Sequence, residues 1–574
     1  MPDESAGRDC HEAEDGRPGR RRTPVGSWPC PRRRETTTMS SSAPVLVLGA
    51  GPVGQTTALL LARWGVSTIL LDRRPRRDAV GSRAICQQRD VLDIWEAVGA
   101  GHRIADEGVT WTTARTFHGD RELFSVELAD HGVPAFPPFV NISQSRTEEI
   151  LDELVAAQPL VDLRWDRHAT HLHQDGDGVT VVLGDGHRLR GSHVVVCAGP
   201  RCDELRAPLG VSFDGHSFDD RFLICDIRTD LPDRVHERRF YFDPVWNPGR
   251  QVLIHPCPDS RFRIDWQVPA DYDLDDEAVS GALDDRIRAV IGDRPYELLW
   301  SSVYRFHSRV VDRMRVGRVL VAGDAAHLMS PFGARGLNSG VADAENAAWK
   351  IAYVRHGWAP DALLDSYHAE RHAAALENLA VTTATMNFLV PRDDAQARHR
   401  ADTLAAAADD PASRAFVDSG RLAEPFWYVD SALTTPAAHR PFAGRPPRGQ
   451  APAAGPGVLV PDAPVVAPDG RRRLRLLARD GFLLLSGHQV GPAAVRDGAA
   501  GIPGPVRSLA LADIDAEGAL TTALAARPDE VWIVRPDAHV AGVLVDPVAP
   551  EIAAALHRAV GHPAPADRDD ALRR

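Results

Sequence analysis

The sequence predicts an α/β protein with an antiparallel sheet inserted into its main domain and a small second α/β domain behind it. Three observations carry this. A glycine-rich turn, 49–54, sits between an apolar strand-like run and a helical pattern. Four segments between Phe222 and Gln267 alternate at period two. A stretch rich in Pro, Ala and Gly, 436–468, separates these from a further group of short apolar runs.

The elements follow in order. Ala43–Leu48 reads as a strand, a helix runs to Trp64, and Val66–Leu71 is a second strand, together a βαβ opening. Arg83–Gly99 and Thr147–Ala157 read as helices, and Thr180–Leu183 and His193–Cys197 as strands. Phe222–Asp226, Arg239–Phe242, Gln251–His255 and Arg261–Gln267 form the inserted antiparallel sheet. Arg318–Ala322 returns to a buried strand, with a long helix from about Ser339. Past the linker, Gly481–Leu485, Arg507–Leu511 and Glu530–Val534 are strands. Pro550–Val560 is a helix with Pro at its start, where a missing N–H costs nothing.

A chain of 574 residues exceeds one hydrophobic core. The net charge of -13 argues against a nucleic-acid partner. No apolar run reaches the roughly 18 residues of a membrane span, so a membrane partner is not expected. Seven cysteines without a CxxC pair fit reduced thiols and a cytoplasmic location. Lys350 is the sole lysine. Residues 1–38 are rich in Arg, acids and Pro and read as unstructured. Their arginine runs are followed by no signal-peptide core, and Met39 is an alternative start.

The first chemical motif is Gly49-Ala50-Gly51-Pro52-Val53-Gly54. Gly49 permits a tight turn, Gly51 lets backbone approach a pyrophosphate, and Gly54 lets helix and strand pack closely. The helix N-terminus then offers unpaired N–H groups to phosphate. Asp72, ending the second strand, can accept from both ribose hydroxyls. The second motif is the strand ending in Gly323-Asp324. Its Asp serves either as a turn cap or as a partner for the ribitol of FAD. It continues into Pro331-Phe332-Gly333-Ala334-Arg335-Gly336-Leu337-Asn338, a glycine-rich loop leading into a helix. Free N–H groups there would stabilise the anion of a reduced flavin ring.

These two motifs, in this order, resemble the class A flavoprotein aromatic hydroxylases, the para-hydroxybenzoate hydroxylase superfamily. The phenol-hydroxylase-like branch, with 3-(3-hydroxyphenyl)propionate hydroxylase and polyketide hydroxylases, is most similar. Gly81-Ser82-Arg83-Ala84-Ile85-Cys86, Asp220–Ile224, Asp343–Lys350 and Ala362–Arg371 add to the likeness, which spans roughly residues 43–425. The resemblance implies a Rossmann-like FAD-binding domain, an inserted substrate-binding sheet and a C-terminal thioredoxin-like α/β domain. The corresponding segments are an extension 1–42, FAD domain 43–215, substrate sheet 216–305, FAD domain again 306–395, helical connection and linker 396–468, and thioredoxin-like domain 469–574.

It also implies that Gly49, Gly51, Gly54 and Asp72 hold the ADP half of FAD, and that Arg83 lies near the pyrophosphate. Gln144 would contact FAD, Gly323 and Asp324 the ribitol. Pro331, Gly333, Gly336, Leu337 and Asn338 would flank the isoalloxazine. The implied reaction takes electrons from NADH or NADPH and hydroxylates a small aromatic molecule, phenolic or polyketide-like, with O2 through a flavin C4a-hydroperoxide. A homodimer stays open. No metal set is evident among the His, and no general base. Tyr241, Trp246, His255 and Trp266 are the residues that the substrate sheet offers.

One departure stands out. The family has an Asp-Gly pair where this chain reads Ala198-Gly199-Pro200-Arg201-Cys202, and Arg206 aligns only if one residue is inserted. That bears on nicotinamide handling and favours an FAD oxidase or dehydrogenase as the alternative. A Baeyer–Villiger oxygenase is a further one, since the branch contains such enzymes, and an inactive FAD-binding protein acting through its C-terminal domain is an alternative of another class. Cys197 and Cys202 straddle a turn and read as structural thiols rather than a redox pair. The region after Cys257 has no cysteine, so a thioredoxin-like fold there could do no thiol chemistry.

Overall fold

A computed structural model describes residues 43–77, 84–128, 134–447, 450–468 and 470–562, all within the unit that starts at Ala43. The 1–38 extension and Arg83 lie outside the described residues. The first layer is a six-stranded sheet in the order Arg315–Val316, Val319–Val321, Val194–Val196, Val45–Leu48, Thr68–Leu71, Val161–Arg164. Apart from the Arg315–Val316 edge it is parallel. Its inner strands are continuous Val and Leu because they are buried against the helices Pro52–Arg63 and Arg335–Arg355 and against a three-stranded sheet, Arg188–Gly191, Val179–Leu183, Ala169–Gln174. The helices Pro52–Arg63 and Arg335–Arg355 meet so closely that a Cβ on Gly340 would fall 2.7 Å from Val53 Cγ2.

The second layer is an eight-stranded sheet. It runs His327–Leu328, Tyr296–Val311, Phe213–Thr229, Arg261–Val268, Gln251–Cys257, Glu237–Phe242, Thr113–His118, Arg121–Glu127. One face carries Leu223, Cys225, Ile227, Val252, Ile254, Ile264 and Trp266 and packs on Leu283 and Ile287 of the helix Ala282–Ile291. The other face looks toward the six-stranded sheet. The sheet reaches beyond the expected 216–305 at both ends, because strands at 113–127 and 305–328 close edges that would otherwise leave backbone groups unpaired.

Two helix expectations need correction. In place of one helix over Arg83–Gly99, the described residues form a strand Cys86–Gln88 and then a helix Arg89–Glu96. The strand forms because it pairs with Phe139–Asn141 and is tied to Asn338. The long helix starts at Arg335, not Ser339, so the glycine-rich loop runs straight into its first turn.

The C-terminal region is a four-stranded sheet, Val506–Ala510, Phe482–Ser486, Glu530–Val534, Val540–Val545, backed by the helix Ala549–Ala559. The segment expected to be a linker is docked on it. Val460 N–H donates to the Ala538 carbonyl and Gly457 N–H to the Val540 carbonyl, satisfying an edge that polar composition alone does not reveal. A buried ion network joins this sheet to the main domain. Glu370 accepts from Lys350 (2.7 Å) and from both Arg535 terminal nitrogens (2.6 and 2.9 Å), and Arg535 also pairs with Asp537 (2.6 Å).

Candidate active site

Gly49 adopts φ +106°, and a Cβ there would sit 2.4 Å from the Cys197 carbonyl oxygen. A Cβ on Gly54 would sit 1.8 Å from the Gly49 carbonyl oxygen, so only Gly lets the helix start this close to the strand. Gly51 differs. A Cβ there meets no atom within 4 Å, because it borders an open cleft at the start of the helix Pro52–Arg63. That first turn carries no acid to compete for its N–H groups. The result is an open cradle at a helix N-terminus that a side chain at position 51 would enter.

Asp72 ends its strand beside this cradle. Its Oδ2 accepts from Ala50 N–H (2.8 Å), and its Oδ1 accepts from Arg74 N–H (2.9 Å). Burial alone would raise its pKa. The bonds from Arg74 and Ala50 outweigh burial and hold the carboxyl below its ordinary range. Arg77, which motif reading missed, donates to the Ala50 carbonyl (2.9 Å) and pairs with Glu148 and Asp152, clamping the turn. Gln144 opens the helix Gln144–Ala157, accepts from Ala84 N–H (3.2 Å) and borders the same cleft.

At the other end, Gly323 N–H donates to Asp343 Oδ2 (3.0 Å), which also lies 2.7 Å from His327 Nε2. Arg371 Nε donates to the other oxygen (2.7 Å). Burial works against this carboxylate, but His327 and Arg371 hold its pKa down at about 2. Asp324 is thereby presented to the cleft. Pro331, Gly333, Gly336 and Leu337 border it too, at the N-terminus of the Arg335–Arg355 helix. Ala334, its cap, is held at φ +57°, a strained conformation for a residue with a Cβ.

Gly49, Gly51, Asp72, Gln144, Asp324, Pro331, Gly333, Gly336 and Leu337 thus meet in one cleft of about 1220 Å³. Gly54 and Gly323 shape it from behind by close packing. Asn338 does not turn into it. Its amide is spent on Gln88 N–H (3.0 Å) and the Cys86 carbonyl (3.1 Å), which anchor the neighbouring strand. Two helix N-termini face one elongated cleft, with the Gly51 cradle and Asp72 at one end. That arrangement fits FAD: pyrophosphate at the first helix, the ring at the second.

The cleft continues over the eight-stranded sheet. Cross-strand register aligns His255 with Arg263, Arg263 with Asp226, and Asp226 with Trp300. The adjacent row on the same face is Leu253, Asp265, Ile224 and Ser302. Of the sheet residues singled out from sequence, only His255 faces the cleft. Trp266 is buried on the opposite face, where Tyr241 and Trp246 also pack, because period-two alternation sends neighbours to opposite sides. The floor's charged residues, Arg238, Arg263 and Asp265, were missed.

Ala198 borders the cleft. Asp203 borders the same cleft. Its side chain is 87% exposed and paired with Arg206 (2.6 Å). Arg206 itself is buried and donates to the Ala325 and Pro200 carbonyls. Cys197 and Cys202 are free thiols that burial pushes up to about 12 and 11. Among the described residues, no helix is long and apolar enough to cross a membrane.

A family model described as an FAD binding domain matches residues 42–382. The chain is 30% identical over 408 residues to a 3-(3-hydroxy-phenyl)propionate/3-hydroxycinnamic acid hydroxylase of Mycobacterium sp. (strain KMS), covering 69% of this chain and 68% of that protein. It is 33% identical over 365 residues to a rifampicin monooxygenase of Streptomyces venezuelae, covering 62% of this chain and 74% of that one. In fold it is similar to the flavin-dependent monooxygenase PieE, solved with FAD and substrate, at TM-score 0.78 and 24% identity over 91% of this chain and 99% of that one. The chain therefore belongs to the FAD-binding-domain family of flavin-dependent monooxygenases.

Proposed function

We propose that this protein hydroxylates a phenolic or polyketide-like aromatic substrate, using O2 and electrons from NADH or NADPH. The observation that carries it is the continuity of the cleft, from the Gly51 cradle past the Arg335 helix start to a sheet floor lined by Phe222, Leu253, Trp300 and Phe306. Bound FAD would supply the activation of oxygen. The helix ends at Gly51 and Gly336 would hold its phosphates and the negative charge of its reduced ring, and Asp72 and Asp324 its sugar hydroxyls. Trp111 and Phe332 add apolar walls that exclude water. The relatives' names support the substrate class.

The C-terminal domain mixes a parallel and two antiparallel pairings and lacks cysteine. We read it as thioredoxin-like and structural, with pairing of two copies and a cytoplasmic location as the matching expectations.

The test is product mass under isotopically labelled O2 with NADH or NADPH and a panel of phenols, including 3-(3-hydroxyphenyl)propionate. One labelled oxygen in the product is expected. Flavin bleaching by the phenols themselves, without label in the product, would favour the oxidase reading that Ala198 keeps open.

A further inference from the structure

The floor of the cleft holds charges that the FAD site does not use. Arg239 faces Ile254 across the sheet, and extending that register sets Arg238 beside His255, next to Arg263. Arg263 is matched, with two bonds to Asp226 (2.7 and 2.8 Å). Arg238 is not. It is 5% exposed, its hydrogen bond runs to the Ser419 carbonyl at 3.4 Å, and no carboxylate pairs with it among the described residues. Asp265, in the adjacent row, has a buried Oδ1 without a hydrogen-bond partner, and His255 has a buried Nδ1 in the same condition. Arg238, His255, Arg263 and Asp265 all border the cleft.

Buried charges stay unpaired at a cost of several kcal/mol, and buried polar atoms are normally bonded. A cation, a carboxyl and an imidazole with spare bonding capacity on one face of a substrate cleft are what an incoming acidic hydroxyl would complete. Resting on the aromatic-hydroxylase reading, we propose that Asp265 accepts the proton of a substrate phenol and that Arg238 holds the resulting phenolate oxygen. The phenolic O–H bond breaks, the proton passes to the Asp265 carboxylate, and the electron pair stays on the oxygen, making the ring more electron-rich. Burial, opposed by Arg263, raises Asp265 to about 7, which suits a proton acceptor near neutrality. His255 is driven well below its ordinary value by burial and by Arg238 and Arg263, so it stays neutral and able to bond the oxygen without competing for the proton.

The test uses FAD-loaded protein and 3-nitrophenol, whose phenolate absorbs at the edge of the visible, with 3-nitroanisole as a probe that cannot ionise. At a pH just above the value of about 7 for Asp265, where its carboxyl is ionised and free 3-nitrophenol is still mostly protonated, binding to wild type is expected to produce the phenolate band. Asp265→Asn should bind the phenol without the band. Arg238→Gln should weaken its binding roughly tenfold or more while leaving 3-nitroanisole unchanged. FAD content and melting temperature report folding. If Arg238→Gln fails to fold, the near-isosteric Asp265→Asn decides alone. No band in wild type, or an unchanged band in Asp265→Asn, overturns the proposal. A band in wild type with no labelled oxygen in any product leaves this site standing and removes the hydroxylase reading instead.

Discussion

Two regions of this molecule bury charge, and they do so differently. At the junction with the C-terminal sheet, Lys350, Glu370, Arg535 and Asp537 are enclosed and balance one another, and Asn346, Ser431 and Trp349 take up remaining bonds. On the cleft floor, Arg238 pairs with no carboxylate among the described residues, and Asp265 and His255 keep bare atoms. The four charges of the first set are matched in the protein alone. The second is not complete among the described residues. Burial by itself therefore says little about function here, and the state of the partners says more.

The largest expected effect breaks the complete set. Glu370→Gln leaves two buried cations with one carboxylate fewer, and should cost about 3–5 kcal/mol. A melting temperature several degrees lower checks it, and a value equal to wild type would show the network to be idle.

A second prediction sharpens the contrast through pH. Asp343 has its pKa lowered from 3.8 to about 2, so its stabilisation is present above about pH 4 and is lost as pH falls toward 2. Asp265 runs the other way. With its pKa raised from 3.8 to about 7, its ionisation costs the folded state stability as pH rises through that window. Asp265→Asn should match wild type near pH 4 and be more stable by pH 8, on the order of 2 kcal/mol after screening by cleft water. Asp343→Asn should be less stable than wild type at pH 8, with the gap closing in acid. Melting temperatures across pH for the two variants check both signs.

The smallest effect concerns Ala198. Restoring a carboxylate there with Ala198→Asp should change the rate of flavin reduction by NADH or NADPH roughly tenfold, the worth of one charge-assisted hydrogen bond, with FAD content unchanged. Stopped-flow bleaching of the flavin reads it, and identical rates would make the missing carboxylate irrelevant.

Neither region was as legible in the sequence as the cofactor cradle. The cradle was legible because Gly49, Gly51, Gly54 and Asp72 act through local turns and short-range approach. The floor was not. In Arg261-Phe262-Arg263-Ile264-Asp265, alternation marks a polar face, but only the tertiary arrangement shows that this face is covered by the FAD domain rather than by water. The junction network is likewise invisible, since Arg535 and Glu370 are 165 residues apart. Asn338 fell inside a motif aimed at the flavin yet bonds a strand 250 residues away, which local reading cannot supply.

The most direct test of the account is the cofactor itself. FAD extracted from purified protein and from Gly51→Val should be compared, because the variant places a side chain in the open cradle beside the first helix. The account predicts about one FAD per wild-type chain and none in a Gly51→Val protein that still folds. A wild-type protein that stays colourless after reconstitution, or a Gly51→Val variant that binds FAD as wild type does, would contradict it.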